Sequence, residues 1–450
     1  MAHQRLCATA GKPFFGYFVV FALIVTTFGP VSFGHSCAGI FYPYAAADLG
    51  CKTGVLSYFT PLACLSGLVF LPFAGKLLNR CDARICLAAS CALTATAFLL
   101  VSFSTQLWHY LACGVLMGFG TCPLIYLAPA TLISRWFADR AGFFIGLVMA
   151  FTGVGGMVWA AAGGAMIAAF GWQWTYRVFS VLTFACIPIM FACVASRPSD
   201  KGLAPFGGAK ASAPQADARG LQDGRDSDAL IAEASLAAGE HPLSRKGIAA
   251  KEAFRMPQFY LIALFCFCLN FGMYLNGMVP SYVSTLAVGA AFPLLGSLAT
   301  SLSMAAQTVT KLGLGAVGEK RPFSGSAVCA ACGIAGALLI IAAGAGGGSA
   351  AVLCLAAVLY GIYYGVTNVM TPVLARKTFG GLEYPIIYAR ISMAANVAGV
   401  CSGFVWGAVI DFAGFEAAFI GAAAFIAAAI VCVWAISLFQ RRDIKRYFRK

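Results

Sequence analysis

The 450-residue chain is 61% hydrophobic and only 10% charged, with a mean hydropathy of +0.85. A soluble protein carries about 25% charged residues, so a soluble domain is excluded. The formal net charge of +14 would suit a nucleic-acid partner, but the cations cluster at the ends of apolar runs, where they meet a lipid bilayer instead.

Apolar spans fall near 16–44, 54–76, 84–104, 108–133, 141–169 and 174–195. After a polar stretch rich in Ala, Gly, Ser, Asp and Arg, six more fall near 257–285, 292–317, 324–345, 350–374, 386–410 and 415–439. The first run is too long for a signal peptide and is expected to remain as a spanning helix. The pattern predicts an all-α polytopic membrane protein with twelve transmembrane helices in two six-helix halves. The expected domains are an N-terminal half over 1–196, a cytoplasmic linker over 197–255, a C-terminal half over 256–440 and a basic cytoplasmic tail over 441–450.

Charge placement fixes the expected orientation. Of the 30 Lys and Arg residues, all but Lys52, Arg177, Lys311 and Arg390 fall in the N-terminus, the linker, the tail and the loops of one side. That bias puts both termini in the cytoplasm of a protein expected in the plasma (inner) membrane. The 18 cysteines are scattered through apolar spans and read as small packing residues, so neither a metal nor a cofactor is expected. Glycines recur four apart at Gly114 and Gly118, at Gly142 and Gly146, and at Gly399, Gly403 and Gly407, a spacing that lets helices approach closely.

All 16 acidic residues lie in loops, in the linker or at span ends. The two charges left within the membrane are therefore cations. Lys311 stands eight residues before Glu319, about 12 Å deeper along a helix, and Arg390 stands seven beyond Glu383, about 10 Å deep. An ammonium at that depth costs about 3 kcal/mol and needs an anion or a water-filled cavity. Two uncompensated cations at one level read as a site for a small anion. Polar groups within the same spans, Tyr126, His35, Gln307, Tyr363, Asn368 and Tyr388, are candidates to complete it.

The stretch YLAPATLISRWFADRAGFFIGLVMAFTGVGG, from Tyr126 to Gly156, is similar to the signature of the oxalate/formate antiporter and monocarboxylate transporter branches of the major facilitator superfamily. GWQWTYRVF, RPSDKGLAPFG and YGIYYGVTNVMTP resemble the same branches. The resemblance implies gating roles for Arg80, Arg135, Arg140 and Glu319, and carboxylate-binding roles for the basic residues of helices 8 and 11, here Lys311 and Arg390. In the oxalate-carrying members helix 8 holds Arg and helix 11 Lys; here the types are exchanged. The loop after the second span reads GKLLNR, with Asn79 where the superfamily usually has an aspartate, and Asp82 is a candidate substitute.

The expected function is secondary active transport of small organic anions, mono- or dicarboxylates, by alternating access and anion exchange. The rivals are a proton-linked monocarboxylate symporter, with His35 as one carrier of the proton, and an anion-binding membrane sensor. An enzyme is not expected, because no nucleophile, base and orienting group share a plausible spacing.

Overall fold

The computed structural model describes residues 14–137, 141–203, 206, 248–317, 322–345, 349–380 and 383–447. The first half is built from α1 (Gly16–Ser36), α2 (Thr53–Leu56 continued by Phe59–Arg80), α3 (Ala83–Val101), α4 (Leu107–Trp136), α5 (Ala141–Phe170) and α6 (Trp172–Cys193). The second half is built from α7 (Pro257–Thr285), α8 (Leu295–Val317), α9 (Pro322–Ala345), α10 (Ala350–Phe379), α11 (384–413) and α12 (415–447). Gly414, with φ 86°, is the whole turn between α11 and α12, a conformation that a residue with a Cβ adopts only at a cost. Among the described residues, ten helices are apolar and long enough to cross a membrane on composition alone, the last of them being α11 and α12 run together. The helix that composition passes over is α8, the one that carries Lys311.

Two helices of the first half are locally widened. α1 is π-helical over Thr27–Ser36 around Pro30, which has no N–H to give the ladder. Hydroxyls fasten the widened segment to itself and to α5: Ser32 donates to Thr27 O at 2.7 Å and to Thr152 O at 3.1 Å, and Thr27 donates to Val148 O at 3.0 Å. α4 is π-helical over Pro123–Leu127 for the same reason. The expected first span, 16–44, ends earlier, at Ser36. A 3-10 turn follows, in which Gly39 approaches Gly277 of α7 so closely that a Cβ would sit 1.9 Å from its carbonyl oxygen.

The halves meet along two antiparallel seams. Where α5 crosses α8, a Cβ added at Gly164 would meet Ser297, one at Gly156 would meet Met304, and one at Gly153 would meet Thr308. Where α2 crosses α11, Gly54 lies against Gly407 and Asp411, and Gly403 lies against Pro61. Further toward the linker end both seams part. Gly146, seven residues before Gly153, and Gly399, four before Gly403, have nothing within 4 Å of where a Cβ would be. The halves therefore form a V, shut at the end of Asp411 and open toward the linker.

The described ends of the linker belong to separate halves. Phe206 donates its N–H to Trp136 O at 2.9 Å and packs on Phe14 and Phe137. At the other end Ile248 donates to Phe379 O at 2.9 Å, and the Glu383 carboxylate accepts from Ala250 N–H.

Candidate functional site

The cleft between the halves holds Lys311. Seven residues separate it from Met304, which leaves it within about 20° of the face that packs on α5. It thus continues the α5–α8 seam past Thr308 to the level of Ala150, about one turn before the opening at Gly146. The side chain is half-buried, and its Nζ lies 5.7 Å from the centroid of the Tyr364 ring on α10. A cation over an aromatic face gains about 0.5–2 kcal/mol. That is less than the cost of about 3 kcal/mol for an ammonium at this depth, so the ring offsets only part of it. The helices lining the cleft, α1, α2, α4, α5, α7, α8 and α10, contain no Asp or Glu, and α11 has none before Asp411.

Tyr126 faces Tyr364 from the opposite half. It is 38% exposed, on the widened turn of α4, and lies within electrostatic reach of Tyr364 and of Cys64 on α2. His35, on the widened part of α1, shares a hydrogen bond of 3.2 Å with Thr121 of α4. Gln307, one turn before Lys311, is 2% exposed; its amide nitrogen lies 2.7 Å from Met304 Sδ, and its Oε1 has no partner among the described residues.

The other sequence candidates are placed elsewhere. Tyr363 is fully buried and donates its hydroxyl to Leu269 O, tying α10 to α7, as Tyr360 does through Gly272 O at 2.6 Å. Tyr388 packs against the cluster of Ile248, Phe379 and Ile387. Arg390 is exposed on α11 and shares its stripe with Ile386, Val397 and Cys401. Counted along the helix, it lies about 140° from Gly403, about 100° from Gly407 and about 60° from Asp411. Lys311 is thus half-buried against Tyr364, and Arg390 is exposed. The side chains of Arg80 and Asn368, and all of Arg140 and Glu319, lie outside the described residues.

Tyr364 is the residue that sequence reasoning passed over. Successive helical residues diverge by about 100°, so of the pair Tyr363–Tyr364 one enters the core of the half and the other meets the cleft. Nothing in the local sequence ranks them; the small residue Gly333, against which Tyr363 packs, was the available signal.

Arg135 lines a cavity of about 370 Å³ at the linker end of the first half, with Leu78, Cys81, Asp82, Ser196, Arg197 and Asp200. Asp82 caps α3, accepting from Arg84 N–H and from the Ser196 hydroxyl, both at 3.0 Å. Its carboxylate is thus committed within its own half.

Twelve helices in two halves around one polar cleft are matched by sequence over most of the chain. The Major Facilitator Superfamily model covers residues 23–380. The chain belongs to that superfamily. It is 29% identical over 147 residues to the probable transporter MCH2 of Saccharomyces cerevisiae, covering 32% of this chain and 31% of that protein. It is 25% identical over 181 residues to human monocarboxylate transporter 11, covering 40% of this chain and 38% of that one. The chain thus spans about a third of the length of these relatives. Among solved structures, the nucleoside transporter NupG superposes with a TM-score of 0.66 at 14% identity, covering 94% of this chain and 98% of that one, a likeness of fold.

Proposed function

We propose that this superfamily member is a secondary transporter of small organic anions, with Lys311 holding the substrate carboxylate. The observation that carries the reading is a half-buried lysine that opens on the inter-half cleft, at a depth where the lining helices supply no carboxylate. The likeness to a monocarboxylate transporter supports the same substrate class. An empty carrier must carry a bare ammonium through the closed state, whereas a loaded one carries a neutral pair. This favours exchange of one anion for another over net flux. Tyr126 and Tyr364, one from each half, close on the bound anion.

In this reading Arg390 is not the second ligand. Its long side chain on an exposed apolar stripe reaches toward lipid phosphate at the linker end. The positive-inside bias makes that end cytoplasmic, in the plasma membrane. A second reading, proton-linked symport, draws on His35, a titratable side chain held against Thr121 in the widened segment of α1.

The test is counterflow in liposomes preloaded with oxalate, formate, lactate or a dicarboxylate. Uptake that needs internal anion and falls at least tenfold in Lys311→Gln, with Arg390→Gln retaining most of it, is the expected result. Uptake unchanged in Lys311→Gln would sink the reading. Uptake driven by an inward proton gradient without internal anion, and lost in His35→Ala, would favour symport.

A further inference from the structure

We infer that Asp411 and Tyr274 form a latch that holds the far end of the cleft shut, by serving backbone groups of the opposite half. This rests on the alternating-access part of the reading above, and not on the identity of the anion.

The sequence of α2 leaves its first turn incomplete. Helix Thr53–Leu56 breaks at Ser57–Tyr58 and resumes at Phe59. Gly54 N–H, in the first turn, and Ser57 O, whose i+4 residue Pro61 has no N–H, have no helical partner at a place where both residues are buried. Both groups find partners across the halves. The Asp411 carboxylate accepts from Gly54 N–H at 3.0 Å, and the Tyr274 hydroxyl of α7 donates to Ser57 O at 2.6 Å. Lys52 adds a bond of 3.2 Å from its Nζ to the Asp411 carbonyl.

The position of these bonds gives them their role. They lie at the shut end of the V, beside the close approach of Gly54 to Gly407. When the cleft opens at that end, α2 must leave α11, and both backbone groups must pass to water. A hydrogen bond involving a charged group contributes more than a neutral one, so Asp411 dominates the latch. Removing it shifts the empty carrier toward the conformation that is open at the far end and closed at the linker end.

Hydrogen–deuterium exchange of the full chain in nanodiscs, without substrate, tests this. In Asp411→Ala and in Tyr274→Phe, exchange is expected to rise about fivefold in peptides over 50–62, with a fall of similar size over 143–152 and 305–315. Asp411→Asn keeps an acceptor oxygen but loses the charge, and is expected to fall between the parent chain and Asp411→Ala. A rise at 50–62 with no change at 143–152 and 305–315 means the bonds act only locally and overturns the latch, as does no change anywhere. If Asp411→Ala loosens the entire chain, Tyr274→Phe decides, since it removes one oxygen and keeps the ring. Because no anion is present, a carrier that fails every carboxylate assay still answers this experiment.

Discussion

The cleft lysine sets what single substitutions should do. Lys311→Arg keeps the charge but replaces a compact ammonium by a planar fork on a longer stem, so exchange is expected to persist with altered preference among carboxylates. Tyr364→Phe keeps the ring face and is expected to raise the half-saturation concentration less than twofold. Tyr364→Ala removes both ring and hydroxyl and is expected to raise it about fivefold, measured as counterflow against external anion. Equal effects of the two variants would mean that the hydroxyl acts, not the ring. At this scale the sequence was only partly legible. Lys311 announced itself because a charge in an apolar span has few structural uses. Arg390 gave the same signal, but the face it presents was not legible, since depth can be counted from a span end while azimuth depends on which neighbours the helix packs against.

Among the elements, α5 and α8 carry the clearest consequence. Gly153 and Gly146 lie seven residues apart on one face of α5, the first against Thr308 and the second against open space. In Gly146→Leu the added side chain fits the present conformation but occupies the space α8 must take when the linker end closes. Melting temperature should stay within about 2 °C of the parent, while exchange falls at least tenfold. Gly153→Val is expected to do the reverse, because its Cβ would meet Thr308 Oγ1 at 2.1 Å and wedge the shut part of the seam. Its signature is a lowered melting temperature. The four-residue glycine spacing showed in the sequence that helices approach closely here. It did not show that Gly146 and Gly399 stand open while Gly114, Gly118, Gly403 and Gly407 are packed.

Taken whole, the molecule is two six-helix halves around a cleft that holds Lys311. Saturating the cleft with a transported carboxylate should stabilise the carrier by about 2.7 kcal/mol at a hundredfold excess over Kd, read as a rise in melting temperature in detergent. The same anion should leave the melting temperature of Lys311→Gln unchanged; an equal rise in that variant would put the anion elsewhere. The division into two sets of six helices was legible, because loop charge supplied the count where apolar length alone passes over α8. The π-helical stretches of α1 and α4 were less so. Pro30 and Pro123 mark an interruption, but not whether it becomes a kink or a widened turn.

Helix α8 has a further consequence, for how the protein is made. With Lys311 and a run of Ser, Thr and Gln between Ser297 and Thr310, it is the helix whose composition alone does not qualify it as a span. A nascent chain that ends after α8 offers the translocon a segment with a penalty of about 3 kcal/mol from the lysine alone. Its entry into the bilayer must then wait for a neighbour. α10 meets that need through Gly361, against Ser303, and Gly365, against Thr310 and Gln307. The lysine proposed to hold the anion thus favours insertion of α8 together with α10 over insertion one helix at a time.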